Sequence, residues 1–179
     1  MAAAPEIALI GLGANLGDGA RTLTTALGEL QRVRCCQLLQ VSSLYRSSPV
    51  DALGPDYWNA VATLRCALPP AQLLLQLQQI ELRHGRLRPA GSHNAPRTLD
   101  LDLLLFGPQS CASTTLTLPH PRMHQRAFVL VPLAEIWPDW VLPNGEPVQH
   151  AAQRLQLAGQ VLQRAGALSA QPMHGPQTG

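Results

Sequence analysis

Residues 96–107 read PRTLDLDLLLFG, and the fold turns on how they are read. On a strand, side chains two apart share a face, so Asp100 and Asp102 project together, about 7 Å apart along the chain. Leu99, Leu101 and Leu103 then take the opposite face. One side of the strand is core and the other is a pair of carboxylates. Such a pair repels itself, and a fold tolerates it best with a divalent cation between the two groups. Oxygen-only ligands of this kind suit Mg²⁺, usually shared with substrate phosphates. The plainer alternative is that both acids are solvated at the start of an edge strand.

The preceding residues favour the metal. Between Arg83 and Leu99 lie Arg83, Arg86, Arg88 and Arg97 and two histidines, with no acid among them. A basic run is often only a solvated loop, but its PAG and NAP punctuation also fits a mobile lid over a polyphosphate. The chain contains no lysine, so a Walker A loop is excluded; nucleotide phosphates would have to be met by arginine forks, backbone amides or metal ions.

With 179 residues, 46% of them apolar, the chain is expected to form one domain over residues 1–165, with a flexible tail at 166–179. The opening MAAAPEIALIGLGANLG fits neither a signal peptide nor a membrane span, so a cytoplasmic protein with no membrane partner is expected. Cys35, Cys36, Cys66 and Cys111 show no CxxC or His/Cys ligand pattern and read as reduced structural thiols.

Strand, glycine turn and helix are read across Ile7–Gly11, GLGANLGD and RTLTTALGELQRV, where Leu23, Leu27 and Leu30 recur at helical spacing. Gln37–Arg46 and Tyr57–Ala67 read as extended segments joined by SSPVDALGPD. AQLLLQLQQIELRHG reads as a helix with proline at its start and Gly85 at its end. After the DLDLLLF strand comes a proline-punctuated loop to about Gln125, then helices at Arg126–Ile136 and Val148–Arg164. The order β-α-β-β-α-β, with helices added, predicts an α+β domain of one sheet covered by helices, including an extra C-terminal helix.

Three functional classes remain. One is a metal-dependent phosphoryl-group transferase. A second is a nucleotidyltransferase, because Gly91-Ser92 before Asp100-Leu101-Asp102-Leu103 loosely mimics the glycine-serine and paired-aspartate pattern of that class. The third, an arginine-rich nucleic-acid binder, is disfavoured by a net charge of +2 and 4% aromatic residues.

Four stretches in combination carry a resemblance: GLGANLGD, SSLYRSSPV with PDYWNAV, IELRHGRLR followed by PRTLDLDLLLFG, and LPHPRMHQRAFVLVPLAEI. From about Ile7 to Glu146 the chain resembles the 6-hydroxymethyl-7,8-dihydropterin pyrophosphokinases of folate biosynthesis. The resemblance implies a ferredoxin-like core and transfer of pyrophosphate from ATP to the pterin hydroxymethyl group, with release of AMP. It implies that Asp100 and Asp102 bind two Mg²⁺ ions, with Arg86 and Arg97 completing the catalytic set. Gln78, Glu81, Arg86, Arg88, Arg97, Leu103, Thr117, His120 and Arg126 would contact ATP. Tyr57 and Phe128 would sandwich the pterin, Asn59 would bond its edge, and Ser47, Ser48, Pro49 and Val50 would surround it. The expected partners are these small molecules, not nucleic acid, and the expected state is a monomer.

Overall fold

Strand β1 (Glu6–Ala14) lies inside the main sheet of the computed structural model, which describes residues 4–49, 54–85 and 98–170. It pairs antiparallel with β4 (Tyr57–Cys66) on one side and β5 (Asp100–Phe106) on the other. Beyond β4 lie β2 (Cys36–Val41) and β3 (Leu44–Ser47), both antiparallel to it, and β8 (Leu162–Gly166) closes the far edge on β3. The order β5-β1-β4-β3-β8, with the crossover helices α1 (Gly19–Leu30) and α2 (Pro70–Arg83), is the expected ferredoxin-like α+β arrangement.

Each face of the sheet has its own core. Ala8, Ile10, Leu12 and Ala14 alternate onto one face of β1, where they meet Ala60, Ala62 and Leu64 of β4 and Leu101 and Leu103 of β5. Leu23, Ala26, Leu27 and Leu30 of α1 and Leu73, Leu77 and Ile80 of α2 cover this face at helical spacing. Burying each such leucine or isoleucine contributes about 1.5–3 kcal/mol. The Asp18 carboxylate starts α1 by accepting from Arg21 N at 3.0 Å, and α2 starts with Pro70, whose missing N–H costs nothing there. Leu9, Val61 and Leu104 form the second face, under α3 (Ala127–Ile136) and α4 (Val148–Leu157).

Strand β5 carries one residue too many. Leu9 opposes Leu105 and Ile10 opposes Leu103, which leaves Leu104 as a bulge. Leu103 therefore lies in the first core while both Leu104 and Leu105 lie in the second.

The structure corrects several expectations. The glycines of GLGANLG are not a turn: Gly11 and Gly13 lie within β1, and the chain turns later, at Gly17 (φ 64°). The extended segment at 37–46 is divided by Ser42 and Ser43, whose groups bond away from the ladder. The helix expected over Val148–Arg164 stops at Leu157, because Gly159 adopts φ 97°, and the chain returns as strand β8. Leu168, two residues beyond β8 and inside the expected tail, is buried in the first core. The loop after β5 holds a small hairpin, β6 (Cys111–Ala112) and β7 (Thr117–Leu118), and a short 3-10 turn at Met123–Gln125. Cys36 and Cys66, read from the sequence as unrelated thiols, are cross-strand partners on β2 and β4 with their sulfurs in contact. Among the described residues, no helix is long and apolar enough to cross a membrane.

Candidate active site

Alternation along three strands brings the site together on the α3 face of the sheet. Asp100 pairs with Gly13, and Gly13 pairs with Asn59; one step along, Asp102 pairs with Gly11, and Gly11 with Val61. Paired Cα atoms on antiparallel neighbours are about 4.5–5.5 Å apart, so Asp100 and Asn59 stand about 10 Å apart with only glycine between them.

Asn59 is 3% exposed and held in place: its Nδ2 donates to Ser47 Oγ at 2.9 Å and to the Tyr57 carbonyl at 3.4 Å. Both donor bonds use the amide nitrogen, so the amide oxygen is presented on the Gly13 side, 3.8 Å from where a Cβ there would stand. Ser47 in turn pairs with Tyr57 across β3 and β4. Phe128 packs against the second core from α3.

Beside β5 opens a cleft of about 350 Å³ between α2 and the β6–β7 hairpin. Gln78, Glu81, Asp102, Leu103, Thr117 and His120 line it. Glu81 is 2% exposed, and its Oε1 accepts from Leu101 N at 2.8 Å, which ties the end of α2 to the strand that carries both aspartates. The chain enters the cleft wall through a cis Leu118–Pro119 peptide, and His120 N then donates to the Leu104 carbonyl at the bulge. Burial pushes the His120 imidazole below its ordinary pKa; Asp102 acts against this, while Arg126 and Arg122 reinforce it. Its Nδ1 accepts from Arg122 N at 3.2 Å, so in the neutral ring Nε2 carries the proton.

Arg126 is the N-cap of α3, a place where a cation opposes the helix dipole. Its guanidinium instead spans two other site residues: Nη1 lies 3.4 Å from Asp102 Oδ2, and the group covers the Phe128 ring at 5.4 Å. Gln160, just before β8, fixes this corner by accepting from Ala127 N at 2.9 Å and donating to the Gln125 carbonyl at 3.2 Å.

The donor set fits Mg²⁺. Asp100 and Asp102 are side by side and half-buried, and among the described residues no group of three or more His, Cys, Asp or Glu gathers to enclose a metal. Two carboxylates leave positions for substrate oxygens, as a shared Mg²⁺ requires. Arg86, Arg88, Arg97 and Val50 lie outside the described residues, as does the expected lid. Sequence reasoning missed Gln160, the Ser47–Asn59 bond and the Ser113–Thr115 rim of the cleft. Only the rim left a signal, in the hydroxyl run of CASTTLT.

A ferredoxin-like domain in which Asp102 lines a cleft of about 350 Å³, with Asp100 two residues before it on the same strand, is of the kind expected of a phosphoryl-group transferase. Residues 9–138 match the family model of the 7,8-dihydro-6-hydroxymethylpterin-pyrophosphokinases, and the chain belongs to that family. It is 46% identical over 137 residues to the Synechocystis 2-amino-4-hydroxy-6-hydroxymethyldihydropteridine pyrophosphokinase, covering 76% of this chain and 69% of that one. It is 44% identical over 140 residues to the Haemophilus influenzae enzyme of the same name, covering 78% and 86%. Its fold is similar to Plasmodium falciparum HPPK-DHPS crystallised with pterin and p-hydroxybenzoate, with a TM-score of 0.68 and 13% identity. That likeness covers 89% of this chain but 46% of the larger one.

Proposed function

We propose that the α3 face of the sheet is where pyrophosphate passes from ATP to the hydroxymethyl group of 6-hydroxymethyl-7,8-dihydropterin, a step of folate biosynthesis. The observation that carries this reading is the cross-strand row: Asp100, two residues before the cleft-lining Asp102, and Asn59 beside Ser47, two strands away on one face. In the transfer, the hydroxymethyl oxygen bonds to the β-phosphorus and gives up its proton to solvent. The bond from the β-phosphorus to the oxygen bridging the α-phosphorus breaks, and AMP leaves.

The protein does little covalent work in such a step; it positions groups and offsets charge. Asp100 and Asp102 would hold two Mg²⁺ ions, which when bound offset triphosphate charge. Gln78, Glu81, Leu103 and Thr117 receive the nucleotide in the cleft, where His120 donates from Nε2. Arg126 moves its charge from Asp102 to phosphate. Arg86, Arg88 and Arg97 supply cations from the segment before β5, with Arg86 and Arg97 acting on the transferred group. Asn59 accepts from the pterin edge, Tyr57 and Phe128 stack on its rings, and Ser47, Ser48, Pro49 and Val50 line its rim. The same reading makes the chain a cytoplasmic monomer serving small-molecule substrates.

Incubation with ATP, Mg²⁺ and the reduced hydroxymethylpterin tests the reading, which expects AMP and a pterin diphosphate. Inorganic pyrophosphate in place of AMP would mean attack at the α-phosphorus and would make the protein a nucleotidyltransferase instead.

A further inference from the structure

Gly13 occupies an interior strand position where glycine is a poor choice: it brings no side chain to pack and more chain entropy to lose. Two common reasons for such a glycine are missing. Its φ is outside the left-handed range that only glycine adopts readily, unlike that of Gly17. Among the described residues, packing does not demand it either. A Cβ built there would stand 3.8 Å from Asn59 Oδ1 and 4.0 Å from Asp100 Cβ, both ordinary contacts. Gly11, its neighbour on the same face, is different, since a Cβ there would come within 3.3 Å of Leu104 Cδ1.

The remaining reason is what crosses the strand. Gly13 pairs with Asp100 on one side and Asn59 on the other, so it is the floor between the acid pair and the amide. We infer that Gly13 is a specificity-determining residue: its bare backbone is the surface over which the hydroxymethyl end of the pterin lies to meet the triphosphate. This rests on the assignment of Asn59 to the pterin and Asp100 to the metal and phosphates. A methyl group at position 13 would lift that end off the strand by about the thickness of one carbon, and displacements of about 1 Å at a reacting centre can cost about 100-fold in rate. The nucleotide cleft lies on the far side of β5 from Gly13, so ATP should not sense the change.

The experiment compares parent, Gly13→Ala and Asn59→Ala. For Gly13→Ala we expect a thermal midpoint no lower than the parent's, binding of a non-hydrolysable ATP analogue with Mg²⁺ within about twofold, and kcat/KM for the hydroxymethylpterin reduced about tenfold or more. The unsubstituted dihydropterin, which lacks the 6-hydroxymethyl arm, should lose less affinity than the substrate does. A folded Gly13→Ala enzyme at parental kcat/KM, or one that loses ATP-analogue and pterin binding equally, would overturn the inference. So would an alanine variant that fails to fold, because packing would then require the glycine. Asn59→Ala separates the two levels. Unchanged pterin binding in that variant would overturn the subsite assignment itself, whereas weakened binding beside an unaffected Gly13→Ala would overturn the inference alone.

Discussion

Arg126 reaches Asp102 with Nη1 at 3.4 Å from Oδ2, so the protein carries its own countercharge on one of the two carboxylates proposed to hold a metal. The two side chains are 25% and 36% exposed, which keeps the pair weak and exchangeable. Arg126→Met keeps an apolar cover on Phe128 and removes the cation. It should tighten Mn²⁺ binding to the nucleotide-free enzyme by about three- to tenfold and weaken ATP binding by a similar factor, the fold-change equivalent of about 0.6–1.4 kcal/mol. Parallel titrations with metal alone and with ATP analogue would show the opposite signs.

Asp100→Ala and Asp102→Asn should each lower turnover by about 100-fold or more, since charge on the triphosphate would no longer be offset at the reacting centre. Both side chains are partly exposed and neither belongs to a core, so circular dichroism and thermal midpoint should be close to the parent's. Near-parental turnover at limiting Mg²⁺ in either variant would remove that acid from the metal site.

Phe128→Ala should weaken pterin binding by about fivefold or more, from a lost stacking contact of about 1 kcal/mol, with a much smaller change for ATP. The ring packs on the second core as well, so the comparison of ligands is what decides. Equal losses for both would make Phe128 a packing residue.

Stability should depend on pH through Glu135. Burial pushes its carboxyl up, but donation from the Ser43 hydroxyl and N–H and from Tyr45, with Arg164 nearby, outweighs burial and holds it below the ordinary 4.5. A depressed folded pKa stabilises the fold above the ordinary value, and that contribution is lost as pH falls through the folded one. Tyr45 works in the opposite sense: burial and then the Glu135 bond raise it to about 12, so its contribution is present below 10.0 and lost as pH rises toward 12. Chemical denaturation across pH should show Glu135→Gln flattening the acid limb and Tyr45→Phe flattening the alkaline one.

The elements that could be read in advance were those whose period and core face agree. α1 and α2 show leucines at helical spacing, and β5 shows acids alternating with leucines, so the crossover order and the acid pair were legible. Strand β8 was not: LQRAG sits on the sheet edge with four of its five residues exposed, so no alternation marks it, and its composition favours a helix. Cys36 and Cys66 are 30 residues apart and become neighbours only through the β2–β4 register. The Glu135 network likewise joins residues about ninety positions apart. The cleft residues named from family likeness do surround one cavity, but no local pattern indicates that Gln160 braces α3 or that Gly13 pairs with Asn59 on one side and Asp100 on the other.

The bulge at Leu104 acts as a parity device. Counting back from Phe106, which faces α1 and α2, strict alternation would send Leu104, Asp102 and Asp100 to that same apolar side and turn Leu101 and Leu103 toward α3. One supernumerary leucine reverses the count, so that an odd or even number of residues decides whether two charges meet solvent or hydrocarbon. The doubled step at Leu104 and Leu105, and not the residue itself, keeps the acids off the hydrocarbon. Deleting Leu104 would leave Phe106, Leu103 and Leu101 alternating with Leu105, Asp102 and Asp100 on their present faces, whereas straightening the strand with Leu104 retained would set the hydrophobic anchoring of Phe106 against the orientation of both acids.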